Sequence, residues 1–355
     1  MRAESYDFLK AIEETPSVSG YEQPVARIVR KRMAKFADNV TTDVHGNVIV
    51  ALNPTKSAPR VMLAGHMDQI GILVNHFTDS GFIHVVSVGG IDNTVLPGTR
   101  VTIWSKKGAV EGVIGRKAIH LMKPEERNSG KIELADLAVD IGAKDKKDAM
   151  ERVAIGDPIT FQLGLTRLLN DRIVSPALDN KVGTFVVMEA LRLCSEMKIN
   201  CGLYAVATVQ EEIGLRGART SCYGIDPLVG IAVDVTHASD YAAIDKRTVG
   251  DIQIGKGPVI EIGANINPII SDLLVDTASK KKIDVQMSAA PGATGTDANA
   301  IQISRAGVAA GLISIPNRYM HTQVELCSLE DLENAARLIA ETVKRIDGKM
   351  NFIPM

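Results

Sequence analysis

The chain has 355 residues, 45% of them hydrophobic, which is long enough for two domains and a sizeable core. Lys and Arg number 40 against 42 Asp and Glu, a formal net charge of -2 without a basic block or aromatic-interleaved patch, so no nucleic-acid partner is expected. Residues 1–7 carry acids without an apolar stretch, and no segment approaches ~18 uncharged apolar residues, so the expected location is cytoplasmic, away from membranes.

In chain order, a helical stripe comes first: Phe8, Leu9 and Ile12, then Val25, Ile28, Val29, Met33 and Phe36 at i, i+3, i+4 spacing with Arg and Lys opposite. Strand-like runs follow at 48–52 and 61–64. From about Gly71 the texture changes to short β-type runs at 71–77, 82–88, 100–104 and 109–114. Asp79-Ser80-Gly81, Gly89-Gly90, Pro97-Gly98 and Lys107-Gly108 separate them. After Leu165 the α/β rhythm returns, with a helix over about 181–197, strands ending at Gln210 and Asp234, and a strand over 308–315. Ser328, three residues before Asp331, opens a closing helix with Leu332, Ala335, Ile339, Val343 and Ile346 on one face, and resembles a capping box with Asp in place of Glu. The expected fold class is α/β: a three-layer α/β/α catalytic domain with a mixed, largely parallel sheet, formed by residues 1–70 and 165–355. Residues 71–164 would form a small inserted β-rich domain, a barrel or PDZ-like module.

Cys194, Cys201, Cys222 and Cys327 show no CxxC spacing and are read as buried free thiols. Chemistry is instead suggested by acids and histidines that end apolar runs, because ligands in open α/β sheets collect at the carboxyl ends of strands. In His66-Met67-Asp68, residues i and i+2 point to the same side of an extended strand end. The Asp68 carboxylate can there orient a ligating imidazole, although a buried structural His-Asp pair has the same appearance. Asp179, in Leu178-Asp179-Asn180-Lys181, is either a helix N-cap or the acid shared by two cations roughly 3.5 to 4 Å apart, which need a common carboxylate between them.

Glu211 and Glu212 follow an apolar run; they are a solvated pair, or a ligand (Glu212) beside a general base (Glu211) that deprotonates a metal-bound water and passes the proton to the leaving amine. Asp234 would complete one metal's shell or be a hydrogen-bonded acid at a strand end, and His321 would cap a second metal or be a loop histidine. His237 is expected beside the site or on the surface, and His45, His76, His84 and His120 receive no role. The glycine-rich segment from Pro291 through Gly295, Thr296 and Asp297 is either a substrate-binding loop whose amides receive a carbonyl or carboxylate, or a tight turn with Asp297 near a helix N-cap.

Taken together, His66-x-Asp68, Asp179-Asn180, Glu211-Glu212, Asp234 and His321 resemble the co-catalytic dinuclear aminopeptidases. In order and context the set is similar to their tetrahedral (TET) branch, which includes glutamyl aminopeptidases and proteins labelled endoglucanases, and the resemblance covers essentially the whole chain. It implies that His66, Asp179 and Asp234 hold one metal and that Asp179, Glu212 and His321 hold the other. Glu211 would be the base, Asp68 the acid behind His66, and residues 294–297 would lie by the substrate. It further implies Zn²⁺ or Co²⁺, release of N-terminal residues from short peptides, and a dodecamer built from dimers through the insert. Imidazole and carboxylate ligands also accommodate Mn²⁺. Gln323 departs from the proline common in relatives.

Three other readings compete. Metal-dependent N-acyl deblocking or deacylation would use the same centre with a different pocket. An endoglucanase would need two carboxylates across a sugar cleft and no metal, which two strand-end histidines and 4% aromatics do not favour. A noncatalytic assembly protein would not need Glu211. No GxSxG nucleophile motif is present. Lys246 and Arg247 would favour acidic N-terminal residues if they faced the pocket, and are otherwise a solvated pair.

Overall fold

The computed structural model describes residues 1–55, 58–124, 132–242 and 244–355. Its strands, in chain order, are β1 (Asn39–Thr42), β2 (Val48–Leu52) and β3 (Arg60–His66), then β4 (Gly71–Phe77), β5 (Ile83–Val88), β6 (Thr99–Ser105), β7 (Gly108–Ile114), β8 (Val139–Asp140) and β9 (Pro158–Phe161). They continue with β10 (Thr166–Arg167), β11 (Arg172–Ser175), β12 (Gly202–Thr208), β13 (Val229–His237), β14 (Val259–Ile262), β15 (Gln286–Ala289), β16 (Ala309–Asn317) and β17 (Glu325–Ser328). Eight of them form one mixed sheet in the order β1-β2-β12-β3-β13-β16-β14-β15. Its centre, β12-β3-β13-β16, is parallel, while β1, β2 and the β14-β16 pairing are antiparallel.

Strand alternation builds three layers. Val61, Leu63, Ile231 and Val233 join a large core shared with the helices Ala3–Glu13, Gln23–Met33, Leu178–Ser195, Pro268–Lys281 and Leu329–Val343. Their neighbours Met62, Ala64 and Ala232 point to the other face, against Ala218, Cys222 and Ile225 of the helix Arg216–Ile225 and Ala298 and Ile301 of the helix Asp297–Gln302. Both faces are covered, so the central strands read as continuous apolar runs, as parallel strands do. The helix Leu178–Ser195 lies close on β3 because Gly65 and Gly183 face each other there; a Cβ on Gly65 would collide with the Gly183 backbone.

Between β3 and β10 the chain forms a closed six-stranded barrel, β4-β5-β8-β7-β6-β9. Its own core includes Ile72, Val74, Phe77, Ile83, Ile103, Ile114, Val139 and Ile159. Closure leaves no strand edge within the module. The sequence-predicted strands at 71–77 and 109–114 match β4 and β7 to within a residue.

Two strand ends and one helix cap near the candidate residues differ from expectation. β12 stops at Thr208, so Gln210 to Glu212 lie in a turn, and β13 runs on to His237, placing Asp234 inside the strand. Ser328 caps the last helix through Glu330 N, but Asp331 makes no capping box: its carboxylate accepts from Gly255 N (2.7 Å) and Gly257 N (2.8 Å). A buried acid with two loop amides in reach satisfies those donors in preference to its own helix terminus. The four cysteines are buried and free. Among the described residues no helix is long and apolar enough to cross a membrane.

The first helix is tied to the rest by a buried polar pair. Lys181, fully buried, donates from Nζ to Thr15 O (2.7 Å) and Gln69 Oε1 (2.8 Å), and Ser175 Oγ donates to Glu13 Oε2 (3.0 Å). Burial pushes Glu13 up from 4.5 to about 8, against the attraction of Lys181. Folded Glu13 therefore keeps a proton that the unfolded chain releases above 4.5, so its contribution to stability is complete below that pH and lost as pH rises to about 8. The Glu13→Gln variant, which cannot titrate, is expected to gain stability relative to wild type between pH 5 and 8. Denaturant midpoints of both proteins at the two pH values check this, and parallel shifts would show that Glu13 titrates normally.

A candidate metal centre at the carboxyl edge of the sheet

Each central strand delivers a polar group at its carboxyl end. His66 is the last residue of β3, Thr208 of β12 pairs with it in register, and Glu211 and Glu212 occupy the turn that follows β12. Asp234 comes from β13, and His321 from the loop after β16. Asp179 enters from the opposite layer, at the start of the helix Leu178–Ser195. Asp179 and Asn180 have non-helical backbone there and are joined by a cis peptide bond. Asn180 anchors this corner, with its Nδ2 donating to Val233 O (2.8 Å) and its Oδ1 accepting from Gly183 N (2.9 Å).

Asp179 stands between the two histidines. Its Oδ1 lies 3.4 Å from His66 Nε2 and its Oδ2 3.2 Å from His321 Nε2. Glu211 Oε2 (3.7 Å) and Asp234 Oδ1 (3.8 Å) also face His66 Nε2, while Glu212 Oε1 (3.7 Å) faces His321 Nε2. His66, Glu211 and Asp234 place ligand atoms within 4.8 Å of one another, as do His66, Asp179 and Glu212. All seven of the acids and histidines singled out for the centre thus lie in one cluster, Asp68 through its contacts to His66 Nδ1 (3.4 Å) and to the Glu211-Glu212 turn.

The other nitrogen of each imidazole is occupied. His66 Nδ1 is 3.1 Å from the Asp68 backbone carbonyl, a shorter contact than to the Asp68 carboxylate. His321 Nδ1 is 2.7 Å from Gly90 O, a carbonyl of the barrel module. With Nδ1 donating to a carbonyl, Nε2 is the nitrogen that faces the acids: it donates to Asp179 when the ring is protonated and would be the ligating nitrogen when the ring is neutral.

Apart from His321, whose side chain is 33% exposed, the cluster is largely buried, and burial perturbs several of its charges. Burial, reinforced by Asp234, Asp297 and Glu212 and opposed by His66, pushes Glu211 up to about 10. Burial and the neighbouring Asp179 push Glu212 up to about 8, and burial with Asp179 raises Asp234 to about 8. Asp179 is held below its usual range despite burial, through hydrogen bonds from His321 and His66. His321 rises to about 9, chiefly through Asp179. Burial would lower His66, but Glu211, Asp179 and Asp68 raise it well above its ordinary value.

This donor set fits divalent cations. Several carboxylates converge in a site removed from water, and uncompensated burial of charge is costly. Glu212 Oε1 is buried with no hydrogen-bond partner among the described residues, and it is the oxygen that faces His321. Carboxylate oxygen with imidazole nitrogen is a set suited to Zn²⁺, Co²⁺ or Mn²⁺.

The glycine-rich segment lies at the rim. Gly295 is exposed with φ +72°, Thr296 caps the helix Asp297–Gln302 through Ala298 N, and Asp297 is buried beneath it. Thr208 Oγ1 donates to Asp297 Oδ2 (2.6 Å), whereas Asp297 Oδ1 has no hydrogen-bond partner among the described residues. Lys246 and Arg247 are surface residues paired with Asp251 (2.6 Å) and Asp245 (2.7 Å). His237 is exposed at the end of β13.

Several residues that shape the centre carry no sequence signal of their own. Glu325 accepts from Asp179 N (2.7 Å) and His321 N (2.9 Å), bracing both from the start of β17. Ser19 Oγ donates to Asp68 Oδ2 (2.6 Å), and Glu22 accepts from Gln210 N (3.1 Å). An acid four residues after His321 hints at Glu325 only in retrospect, and Gly89-Gly90 reads as a turn.

The profile of the family described as M42 glutamyl aminopeptidase matches residues 46–338. The lysyl aminopeptidase of Pyrococcus furiosus is 40% identical over 351 residues, covering 98% of this chain and 99% of that protein. Among solved structures, a TET aminopeptidase from a marine sediment thaumarchaeon matches with a TM-score of 0.93 and 34% identity, over 98% of this chain and 97% of that one. The Pyrococcus horikoshii TET1 peptidase, which can assemble into a tetrahedron or a large octahedral shell, matches with a TM-score of 0.85 and 31% identity, over 96% and 100% of the two chains.

Proposed function

The chain belongs to the M42 glutamyl aminopeptidase family and is a peptide-bond hydrolase, and we propose that it releases N-terminal residues from short peptides at a centre holding two divalent cations. The observation that carries this reading is the division of the two Asp179 oxygens between His66 and His321. In it, His66, Asp179 and Asp234 hold one ion and Asp179, Glu212 and His321 the other. The ions, Zn²⁺ or Co²⁺ with Mn²⁺ also compatible, would polarise the scissile carbonyl and acidify the attacking water. Glu211 accepts the proton of that water and returns it to the leaving amine. Asp68 and Gly90 O keep the imidazoles oriented, and Glu325 holds the Asp179 and His321 backbones in place.

Charge favours a free amino terminus. Bound cations would draw the buried acids back to their charged forms, and the six carboxylates of Asp68, Asp179, Glu211, Glu212, Asp234 and Asp297 against the four positive charges of two divalent ions would leave a negative surplus that attracts a substrate ammonium. An N-acylated peptide lacks that charge, which ranks deblocking second. Residues 294–297, with Gly295, Thr296 and Asp297, are assigned to substrate binding, an assignment supported by the bond of Asp297 to Thr208 at the carboxyl end of β12.

We further propose a homo-oligomer, a tetrahedral dodecamer built from dimers, since twelve equivalent positions complete a tetrahedral shell. The barrel module is assigned the dimer contacts. Phe82, Val86, Val113, Ile119 and Leu121, exposed apolar residues of that module, support this assignment. Enclosure would restrict substrates to short or unfolded peptides, and the expected location is cytoplasmic.

The test is hydrolysis of an aminoacyl-p-nitroanilide panel and its N-acetylated counterparts, before and after chelation and metal add-back. Activity on free-amine substrates is expected to vanish on chelation and return with Zn²⁺ or Co²⁺. Turnover that survives complete metal removal, or that is confined to acylated substrates, would overturn the reading.

A further inference from the structure

The turn that presents Glu211 and Glu212 is held from below by two carboxylates. Gln210 N donates to Glu22 Oε1 over 3.1 Å, Glu211 N to Asp68 Oδ1 over 3.0 Å, and Glu212 N to Asp68 Oδ2 over 3.2 Å. Both acids are in turn tied to one short segment near the N-terminus. Ser19 Oγ donates to Asp68 Oδ2 at 2.6 Å, and Gly20 N donates to Glu22 Oε1 at 2.7 Å. That segment is fixed on the β3-β4 junction, with Ser19 N donating to Gln69 O and Gln69 N donating to Ser17 O.

Glu22 is the informative residue. It stands immediately before the helix Gln23–Met33, where a side chain can accept from the first amides of the helix. It makes no such bond, is only 3% exposed, and is turned to Gly20 and Gln210. Gln210 takes a left-handed conformation, φ +54°, which a non-glycine residue adopts only when its surroundings hold it there. Three successive amides aimed at two buried carboxylates set the peptide planes of residues 210–212. They therefore set the direction in which the Glu211 side chain leaves the backbone.

The geometry points to Ser19 and Glu22 as positioning residues for Glu211: together with Asp68 they clamp the turn so that its carboxylate meets the attacking water. The inference rests on the reading of Glu211 as proton acceptor. It extends the catalytic apparatus to a segment of the chain that supplies none of the groups assigned to the cations. A general base displaced by as little as 1 Å can lose about 10²-fold in rate, so a turn held by hydrogen bonds from another element is a sensitive point.

The experiment uses the metal-loaded protein with its best p-nitroanilide substrate, and compares Glu22→Ala, Glu22→Gln, Ser19→Ala and Glu211→Gln. Bound metal is measured for each, as is amide hydrogen exchange across residues 209–213 of the metal-free proteins. Glu22→Ala is expected to lower kcat by about 10- to 100-fold with KM changed less than about 2-fold and metal content unchanged. Glu22→Gln keeps an accepting oxygen and is expected to restore kcat to within about 3-fold of wild type. Ser19→Ala should lose about 3- to 10-fold in kcat, as befits one hydrogen bond, and stands as the milder test if Glu22→Ala does not fold. Exchange at Gln210 to Glu212 should quicken in Glu22→Ala and not in Glu22→Gln.

Normal kcat in both Glu22→Ala and Ser19→Ala, failure of the glutamine to restore turnover, or loss of metal in step with kcat would each overturn the inference. If Glu211→Gln is inactive while the clamp variants are normal, only the inference fails. If Glu211→Gln keeps wild-type kcat, the role given to Glu211 fails first.

Discussion

Glu211→Gln is expected to lower kcat by about 10²- to 10⁴-fold, the usual contribution of a positioned general base. Glutamine has the same shape, and the Glu211 backbone amide would still reach Asp68 Oδ1 (3.0 Å), so the turn should keep its form. What is lost is the ability to take a proton. Without ions the variant should not be less stable, because burial makes the Glu211 charge unfavourable and pushes it up to about 10; bound cations would draw it back down into the range of a base. Metal content is the discriminating measurement. His66, Glu211 and Asp234 lie close enough to share an ion directly, so the geometry admits Glu211 as a ligand as well as a base. Two ions per chain retained in an inactive variant would support the base. Loss of one ion would make Glu211 a ligand and move the proton transfer elsewhere.

Asp179→Ala is expected to abolish binding of both ions and to reduce hydrolysis to the level of the chelated enzyme. This carboxylate faces both imidazoles, at 3.4 Å and 3.2 Å, and it is the one acid of the centre held below its usual range in spite of burial. Its removal leaves His66 and His321 without their shared partner. The surrounding corner should survive, since Asn180 holds Val233 O and Gly183 N, and the residue 179 amide still has Glu325 to accept it. Metal analysis after dialysis, together with a circular dichroism spectrum to show an intact fold, checks this. One ion retained at full occupancy would mean that Asp179 serves a single centre and would remove the two-ion reading at its root.

Much of this architecture is visible in short-range pattern. The run 61–64 ending in His66 is β3, and the apolar stripe Leu332, Ala335, Ile339, Val343 is the buried face of the last helix. The alternating runs after Gly71 are barrel strands, with Gly and Asp at their turns. Such signals depend on neighbours two to four residues apart, which is the range over which strand and helix geometry repeats. Asp234 shows the limit: an acid after Ile231-Ala232-Val233 reads as the end of a strand, yet β13 continues because Val235 and Thr236 still pair with β16. Asp331 shows another, since its spacing from Ser328 suits a capping box but Gly255 and Gly257, more than 70 residues away, claim its carboxylate.

The sequence by itself determined the α/β class, the inserted β-rich module, and a set of acids and histidines whose order resembles one enzyme family. Tertiary structure alone decided how those groups face one another. Glu325 braces Asp179 from 146 residues away, Glu22 holds Gln210 across 188, and Gly90 of the barrel orients His321 across 231. No local periodicity encodes contacts of that span, because they arise only when sheet order brings the carboxyl ends of β3, β12, β13 and β16 to a single edge. Buried polar groups must find partners wherever packing places them, and here the partners come from the far ends of the chain.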